Sequence, residues 1–371
     1  MCKVSQNFRD SYYLCQLKLT RMLKKVLKES DIKRLSALLS QSERIVLTCH
    51  VRPDGDAIGS TLGFCHVLRA MGKDARVIAP DAAPKSLSFL PGFKDILTYS
   101  KYPDYSAKLV AEADLLICCD FNCLKRLDDF QTVISESAAK KVLIDHHTEP
   151  EYFCDLTFSF PSMSSTCELV FRILAALGMY IDMNLDTATC LCTGLITDTQ
   201  NFAVNCSDPE VYEVLMRLLD KGVDKPKIVR EALVVKSLES FRLQSYALSE
   251  KLELYEDGHA AIVTLDKDEL NRFNYQRGDS EGVVNRPLEI KDVICSFFLR
   301  EDPDCIKVSA RSINNFPVNA ICKLLFGGGG HVMAAGGEYT VGTIDDCRSL
   351  LIEAFQKYKN ELKEALDKSF D

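Results

Sequence analysis

Aspartate and histidine recur in this chain in places that point to divalent metal ions. The segment His50-Val51-Arg52-Pro53-Asp54-Gly55-Asp56 presents one imidazole and two carboxylates from a single loop. Pro53 fixes the approach to that loop and Gly55 lets it turn tightly. Asp120 ends one apolar run, Asp145-His146-His147 ends another, and Asp198 lies inside a third. Carboxylates converging without cations would repel one another and partly protonate, and divalent ions remove that objection. Asp54 and Asp56 can then serve two neighbouring ions, with Asp120 bridging them. Four aspartates (Asp54, Asp56, Asp120 and Asp198) against two divalent ions make a formally neutral site. Oxygen-rich ligation with imidazole favours manganese over zinc, with magnesium as an alternative. Each piece alone has a plainer reading: a turn for Asp-Gly-Asp, a helix cap for Asp120, surface chemistry for Asp-His-His. Asp198 resists such a reading, because a carboxylate in an apolar helix needs a partner.

A second group lies far along the chain. Gly327-Gly328-Gly329-Gly330-His331 lacks the Lys-Ser/Thr of a P-loop, so a Walker reading fails. Its glycines let a ligand approach the backbone closely, with amides facing an anion. The apolar flanks Leu324-Leu325-Phe326 and Met333-Ala334-Ala335 favour an ordered turn over a flexible linker. Arg311, at the end of a strand pattern, offers a fork suited to phosphate oxygens. Ser165-Thr166-Cys167-Glu168 fits a capping box for a helix over Leu169–Leu177, with anion contact at that N-terminus as the functional alternative. His66 reads as a packing residue, His259 as a turn residue, and Phe202 as a wedge behind the helix carrying Asp198.

The elements that must position these groups follow from periodicity. Apolar runs predict strands at Ile45–Cys49, Ala75–Ala79, Leu115–Cys119 and Lys141–Ile144, with a helix over Ala57–Met71 ending at Gly72. Strands alternating with helices imply a parallel sheet covered on both faces, with ligands beyond the strands' carboxyl ends. An apolar helix is predicted over Asn184–Phe202. Strand patterns at Leu252–Tyr255, Ala260–Leu265, Val293–Leu299 and Ile306–Ala310 precede helices over Val318–Phe326 and Asp345–Leu366. The fold class is therefore α/β: an N-terminal parallel-sheet domain followed by a smaller C-terminal α/β (α+β) domain. The expected organisation is an extension at 1–28, a metal-binding domain at 29–205, a helical connector at 206–250 and a substrate-binding domain at 251–371.

Bulk composition sets outer limits. With 371 residues, 47% hydrophobic and 26% charged, the chain can build two domains with real cores. A net charge of −8 excludes a generally basic, duplex-coating protein but not a nucleotide substrate held by local cations or metals. The sixteen cysteines show no zinc-ribbon spacing, so reduced, buried thiols in a cytoplasmic protein are expected. Met1–Arg21 carries no secretory signal pattern, and either an extension or a start at Met22 is expected. No membrane association is expected.

Taken together, HxxPDGDAIGS at His50–Ser60, the strand ending at Asp120, DHH at Asp145–His147 and TDTxxF at Thr197–Phe202 resemble the DHH phosphoesterase family. Arg311-Ser312 and GGGGHxxAAG at Gly327–Gly336 resemble the DHH-associated C-terminal domain. The likeness runs from about Glu29 to Leu362 and is greatest to the nanoRNase / pAp-phosphatase branch. It implies that His50, Asp54 and Asp120 hold one manganese, and Asp56, Asp120, His146 and Asp198 the other, with magnesium or cobalt as alternatives. It further implies that Asp145 orients a histidine, that His147 sits beside the scissile phosphate, and that Arg311, Ser312, Gly328, Gly329, Gly330 and His331 grip substrate across a cleft between the domains. The activity so implied is hydrolysis of short oligoribonucleotides, including dinucleotides such as pApA, to 5′-mononucleotides, with pAp as a further substrate. A homodimer is compatible with it. A RecJ-type single-strand exonuclease and a pyrophosphatase-like hydrolase are the enzymatic alternatives. A catalytically inactive nucleotide-binding regulator is the non-enzymatic one, and the intact ligand set speaks against it.

Overall fold

Along Leu115-Leu116-Ile117-Cys118-Cys119 every side chain is buried, but successive residues enter different cores. Leu115, Ile117 and Cys119 join one cluster and Leu116 and Cys118 another, as the period of two along a strand requires of a sheet covered on both faces. The computed structural model describes residues 26–368, so the expected N-terminal extension up to residue 25 lies outside the described residues. The chain divides after Val235 into two units.

In the first unit α1 (Glu29–Gln41) leads into β1 (Arg44–Thr48), α2 (Gly55–Ala70), β2 (Asp74–Ala79), β3 (Leu97–Thr98) and α3 (Pro103–Ala111). There follow β4 (Leu115–Cys119), α4 (Phe130–Glu136), β5 (Lys140–Asp145) and β6 (Leu156–Ser159), then α5 (Thr166–Ala176), α6 (Leu185–Asp198), α7 (Pro209–Leu219) and α8 (Lys225–Val229). The strands form one sheet in the order β3-β2-β1-β4-β5-β6, every neighbouring pair parallel. The four predicted strands are all present. β3 and β6 were not expected, being two and four residues long and at the sheet's edges. The helix predicted to reach Phe202 stops at Asp198, because Gln200, Asn201 and Phe202 take φ of 47°, 57° and 67°. No helix among the described residues is long and apolar enough to cross a membrane. Every described cysteine is free, and most are buried.

The second unit holds α9 (Leu238–Glu250), β7 (Leu252–Tyr255), β8 (Ala260–Leu265), α10 (Lys267–Arg272), β9 (Cys295–Glu301) and β10 (Ile306–Ser312). It ends with α11 (Val318–Phe326), β11 (Gly329–His331), β12 (Ala334–Tyr339), α12 (Ile344–Lys357) and α13 (Lys359–Asp367). Its sheet runs β11-β12-β10-β9-β8-β7, antiparallel except for β8 beside β9. The single helix predicted over Asp345–Leu366 is two, broken where Tyr358 leaves helical geometry at φ −99° and ψ 20°. Residues 206–250, expected as a connector, are shared out. α7 and α8 bury Val211, Val214, Leu218 and Ile228 in the first unit's core, whereas α9 buries Leu243 and Ala247 in the second unit.

The tightest packing joins α2 to α6. Gly55, Gly59 and Gly63 recur at every fourth residue and so line one face of α2. A Cβ on Gly59 would lie 2.5 Å from the Cys190 carbonyl oxygen, and one on Gly55 2.3 Å from Thr197 Oγ1. From the other side, a Cβ on Gly194 would lie 2.7 Å from Asp56 Oδ1 and 2.2 Å from Cys167 Sγ. Because the Gly59 neighbour is backbone, it cannot rotate away, and the helices must separate. Gly59→Ala should therefore destabilise the protein by about 1–3 kcal/mol, a fall of several degrees in melting temperature by calorimetry. An unchanged melting temperature would show that the two helices do not meet at this distance.

Candidate active site

Three strands and one helix end deliver the predicted ligands to a single place. Beyond β1 come His50 and Asp54, beyond β4 Asp120, at the end of β5 Asp145 with His146 and His147 following, and at the end of α6 Asp198. Three groups of donor atoms each lie within 4.8 Å of one another: His50, Asp54 and Asp120; Asp56, His146 and Asp198; and Asp120, His146 and His147. Asp120 is common to two of them. Its backbone takes φ of 67°, a conformation costly for a residue with a side chain and one that clusters at functional sites.

Each carboxylate is held by identifiable donors. Asp54 caps α2, its Oδ1 accepting from the amides of Asp56 and Ala57 at 3.0 Å each, which leaves Oδ2 turned towards His50. Asp56 is 1% exposed and accepts from the first amides of α5: Thr166 N at 2.6 Å and Cys167 N at 2.8 Å. The Thr166 hydroxyl donates to Asp120 Oδ1 at 2.9 Å. The N-terminus of α5, a candidate for anion contact, is thus occupied by the protein's own Asp56. Thr166 and Cys167 are functional positions that residue chemistry missed. Their only sequence signal is the capping box itself, whose Ser165 accepts from the Glu168 amide as expected. The Glu168 carboxylate turns instead to Ser164 and to Arg172, which also reaches Glu210. Glu168 and Arg172 are both fully buried; removing either partner would leave an uncompensated charge, typically at 3–5 kcal/mol.

The imidazoles are oriented by their Nδ1 atoms. His50 Nδ1 lies 2.8 Å from the Val51 carbonyl and His146 Nδ1 3.2 Å from the Met163 carbonyl, so both Nδ1–H groups donate. Nε2 of His50 then faces Asp120 Oδ2 at 3.4 Å, and Nε2 of His146 faces Asp198 Oδ2 at 3.4 Å and Asp120 Oδ1 at 3.6 Å. Asp198 Oδ2 is buried without a hydrogen-bond donor. A neutral imidazole lone pair pointing at a carboxylate is repulsive, so a positive charge must lie between them, either a proton or a metal ion. The residues present fit divalent ions on that ground. His147 differs: its Nδ1–H donates to Asp145 Oδ1 at 2.7 Å, Asp145 being fully buried, and its ring meets that of His146 edge-on.

Where no metal ion is bound, protons would supply that positive charge. Burial, followed by the charges of Asp56 and Asp54, holds the Asp120 carboxyl well above the usual range. Burial and Asp56 push Asp198 up to about 8. For His146 burial acts downward, but Asp56, Asp120 and Asp198 outweigh it and hold the imidazolium up to about 9.

The second unit arranges its candidates by the pleat of its sheet. Along β10, Ile306, Val308, Ala310 and Ser312 are buried while Lys307, Ser309 and Arg311 face the other side. Arg311 and Ser312, expected to act together, therefore project to opposite faces. Ser312 is 7% exposed and its hydroxyl donates to the Phe316 carbonyl at 2.6 Å, which makes it a fastener of the following turn. In register, Arg311 pairs with Ala334 and Ala334 with His331, so Arg311, Ala334 and His331 form one row on one face. Two strand spacings put Arg311 and His331 about 10 Å apart with only a methyl group between them. Arg311 donates to the Ala310 carbonyl and, among the described residues, has no carboxylate within ion-pair distance. Burial pulls its guanidinium below the usual range. His331 is exposed. The glycines serve close packing: a Cβ on Gly328 would lie 1.8 Å from the Gly336 carbonyl oxygen and one on Gly330 2.4 Å from that of Ala334. The Gly328 amide donates to the Cys322 carbonyl and is not available to an anion, while Gly329 is exposed.

Comparison with known proteins identifies the family. The model of the DHH family, N-terminal domain, matches residues 44–195, and that of the DHHA1 domain matches residues 257–357. The crystal structure of an exopolyphosphatase-related protein from Bacteroides fragilis is 43% identical with a TM-score of 0.88, over 91% of this chain and 99% of that one. The bifunctional oligoribonuclease and PAP phosphatase NrnA of Thermus thermophilus is 31% identical over 84% of this chain and 89% of its own length. The cyclic-di-AMP phosphodiesterase PdeA of Listeria monocytogenes is 27% identical over 92% of this chain, which spans about half (51%) of that protein.

The protonated state predicts the pH dependence of metal uptake. Near pH 7 Asp198 and His146 hold protons that a metal must displace, since ligands bind deprotonated. Titration of the metal-free protein with manganese, in buffers of different ionisation enthalpy, should show proton release at pH 7. Affinity should rise with pH and level off above about 9, once His146 is neutral. An affinity that does not change from pH 6 to 9 would refute the arrangement of acceptors facing acceptors.

Proposed function

This chain belongs to the DHH family and is a phosphoester hydrolase, and we propose that it cleaves short oligoribonucleotides, dinucleotides included, to 5′-mononucleotides and removes the 3′-phosphate of pAp. The observation that carries the reading is the shared position of Asp120, within reach of the His50–Asp54 group and of His146 and His147. We assign His50, Asp54 and Asp120 to one manganese ion and Asp56, Asp120, His146 and Asp198 to a second. Such ions neutralise phosphoryl charge and make hydroxide available at neutral pH. The substrate class is supported by the likeness to NrnA of Thermus thermophilus over most of both chains.

The chain's own residues supply the rest. Asp145 accepts from the Nδ1–H of His147 and steadies the ring when it is an imidazolium, whose Nε2–H can then donate to a phosphoryl oxygen or hand its proton to the departing sugar oxygen. Asp145 is a positioning residue and acts only through His147. Thr166 and the first amides of α5 keep the carboxylates of Asp56 and Asp120 from rotating out of place. The Arg311–Ala334–His331 row holds an anionic end of the substrate, with the guanidinium, which among the described residues has no carboxylate within ion-pair distance, gripping the phosphate and the small Ala334 leaving room for it.

Two measurements test this. Asp120→Asn should abolish turnover of pApA and lower manganese stoichiometry, because one change weakens both positions. Activity within a few-fold of wild type at full manganese occupancy would remove Asp120 from its shared role. The substrate class is tested by a manganese-supported panel of pApA, pGpG, longer oligoribonucleotides, pAp, cyclic di-AMP and inorganic pyrophosphate. Preference for either of the last two would overturn the oligoribonucleotide reading, and inertness towards all would favour a regulator.

Arg311→Ala and His331→Ala should leave manganese stoichiometry intact. Each loses a charge-assisted contact to phosphate, roughly 1.5–3 kcal/mol, or about ten- to more than a hundredfold in kcat/KM on pApA. Bis-p-nitrophenyl phosphate, with no terminal phosphate to hold, should be affected far less. Equal losses on both substrates would show that the row does not grip the terminal phosphate.

A further inference from the structure

Immediately past Asp198 the backbone of the first unit turns through three consecutive left-handed residues, Gln200, Asn201 and Phe202, with φ of 47°, 57° and 67°. Such residues cost of order 1–3 kcal/mol each and persist only where the surroundings over-determine them. Here Asn201 N donates to the Ile196 carbonyl at 2.7 Å and Phe202 N to the Thr199 hydroxyl at 3.1 Å. The exposed Asn201 side chain is gripped from outside, its Oδ1 accepting from Lys225 Nζ at 2.6 Å. A groove of about 390 Å³ opens beside this turn, lined by Asn201, Lys225, Pro226, Val229, Arg230 and Val234.

The groove's charges are unlike those around it. In a chain of net charge −8, it presents two cations and no carboxylate in its lining. Lys225 has no carboxylate within ion-pair distance among the described residues: its ammonium bonds to a neutral amide and lies 5.8 Å over the Phe202 ring. Two of its three donors remain. Among the described residues the one carboxylate within ion-pair distance of Arg230 is its neighbour Glu231, at 3.5 Å and with the Arg230 side chain 71% exposed, a pair too weak to hold it from another anion. The remaining walls, Pro226, Val229 and Val234, are apolar, and Val234 is 62% exposed. Cations above an apolar bed suit a phosphate with its attached ribose and base. The location suits them too, since Asn201 is three residues past a proposed metal ligand.

We propose that this groove is an accessory subsite for the first nucleotide beyond the two that flank the scissile phosphate, with Lys225 and Arg230 holding its phosphate. The proposal rests on the oligoribonucleotide reading of the active site and deepens it. It divides substrates by length: neither pAp nor pApA has such a nucleotide and both should stay within twofold of wild type, whereas a trinucleotide or longer chain has one.

The test uses Lys225→Gln, Arg230→Gln and the double variant, with kcat and KM measured on pAp, pApA and a pentaribonucleotide. The double variant should raise KM for the pentamer about five- to tenfold, with kcat unchanged and pAp within twofold of wild type. The slope of log KM against log salt for the pentamer should flatten by about 0.7 for each phosphate contact removed. Merely structural damage would not change that slope. Arg230→Gln alone alters a side chain that is 71% exposed and guards against misfolding, as it should give part of both effects with an unchanged melting temperature. Equal losses on pAp and pentamer, or unaltered pentamer kinetics and salt slope, would overturn the subsite while leaving the proposed activity standing. A wild-type protein that turns over none of the ribonucleotides would overturn both.

Discussion

The position of the Asp56 carboxylate is the constraint on which the rest of the first unit depends. It lies where α2, α5 and α6 meet, with no room for another atom on the α6 side, because Gly194 leaves space for a hydrogen and nothing larger. The first amides of α5 hold both of its oxygens. The glycine face of α2 lets α6 approach until Thr197 touches Gly55, and that approach brings Asp198 into reach of His146. A single methyl group at this contact would therefore be felt twice, as lost packing and as a displaced ligand. The chain from buried Glu168 and Arg172 to half-buried Glu210 anchors α5 from behind, so the amides that hold Asp56 are themselves fixed.

Electrostatically the centre is built against itself. Burial raises the cost of each carboxylate charge, yet the imidazoles present lone pairs towards those carboxylates rather than protons. Such a cluster is stable only with positive charge inside it. Protons can supply that charge, which is why Asp120, Asp198 and His146 all hold theirs more tightly than usual. A divalent ion would supply it in place of the protons, neutralising carboxylates that would otherwise be a liability to stability. The left-handed backbone at Asp120 is the steric counterpart of that stored cost.

The second unit solves a different problem with a simpler device. Antiparallel pairing in register places Arg311, Ala334 and His331 in one row on a single face, and the opposite face of β10 is sealed into the core. Among the described residues no carboxylate lies within ion-pair distance of Arg311, so its charge is left uncompensated on that face. The glycines before His331 let β11 and the neighbouring backbone pass close to β12, where a side chain would collide with carbonyl oxygens.

By itself the sequence determined the fold class, the four principal strands and which aspartates and histidines cluster. Apolar runs that end in Asp or His are readable without coordinates, because in a parallel sheet the carboxyl ends of strands share one edge. The same reading overran α6 by four residues, since nothing in Gln200-Asn201-Phe202 announces a left-handed turn that neighbouring groups impose. It put Arg311 and Ser312 together as neighbours, and the pleat sets them apart. It saw Ser165–Glu168 as a helix cap, which it is, but not that Thr166 and Cys167 hold the Asp56 carboxylate, for those partners are 110 and 111 residues away. Residue chemistry and short-range periodicity are local and so legible. Which lone pair faces which, and which amide an acid claims, is decided by long-range packing, where α2 and α6 come within a glycine's width of each other.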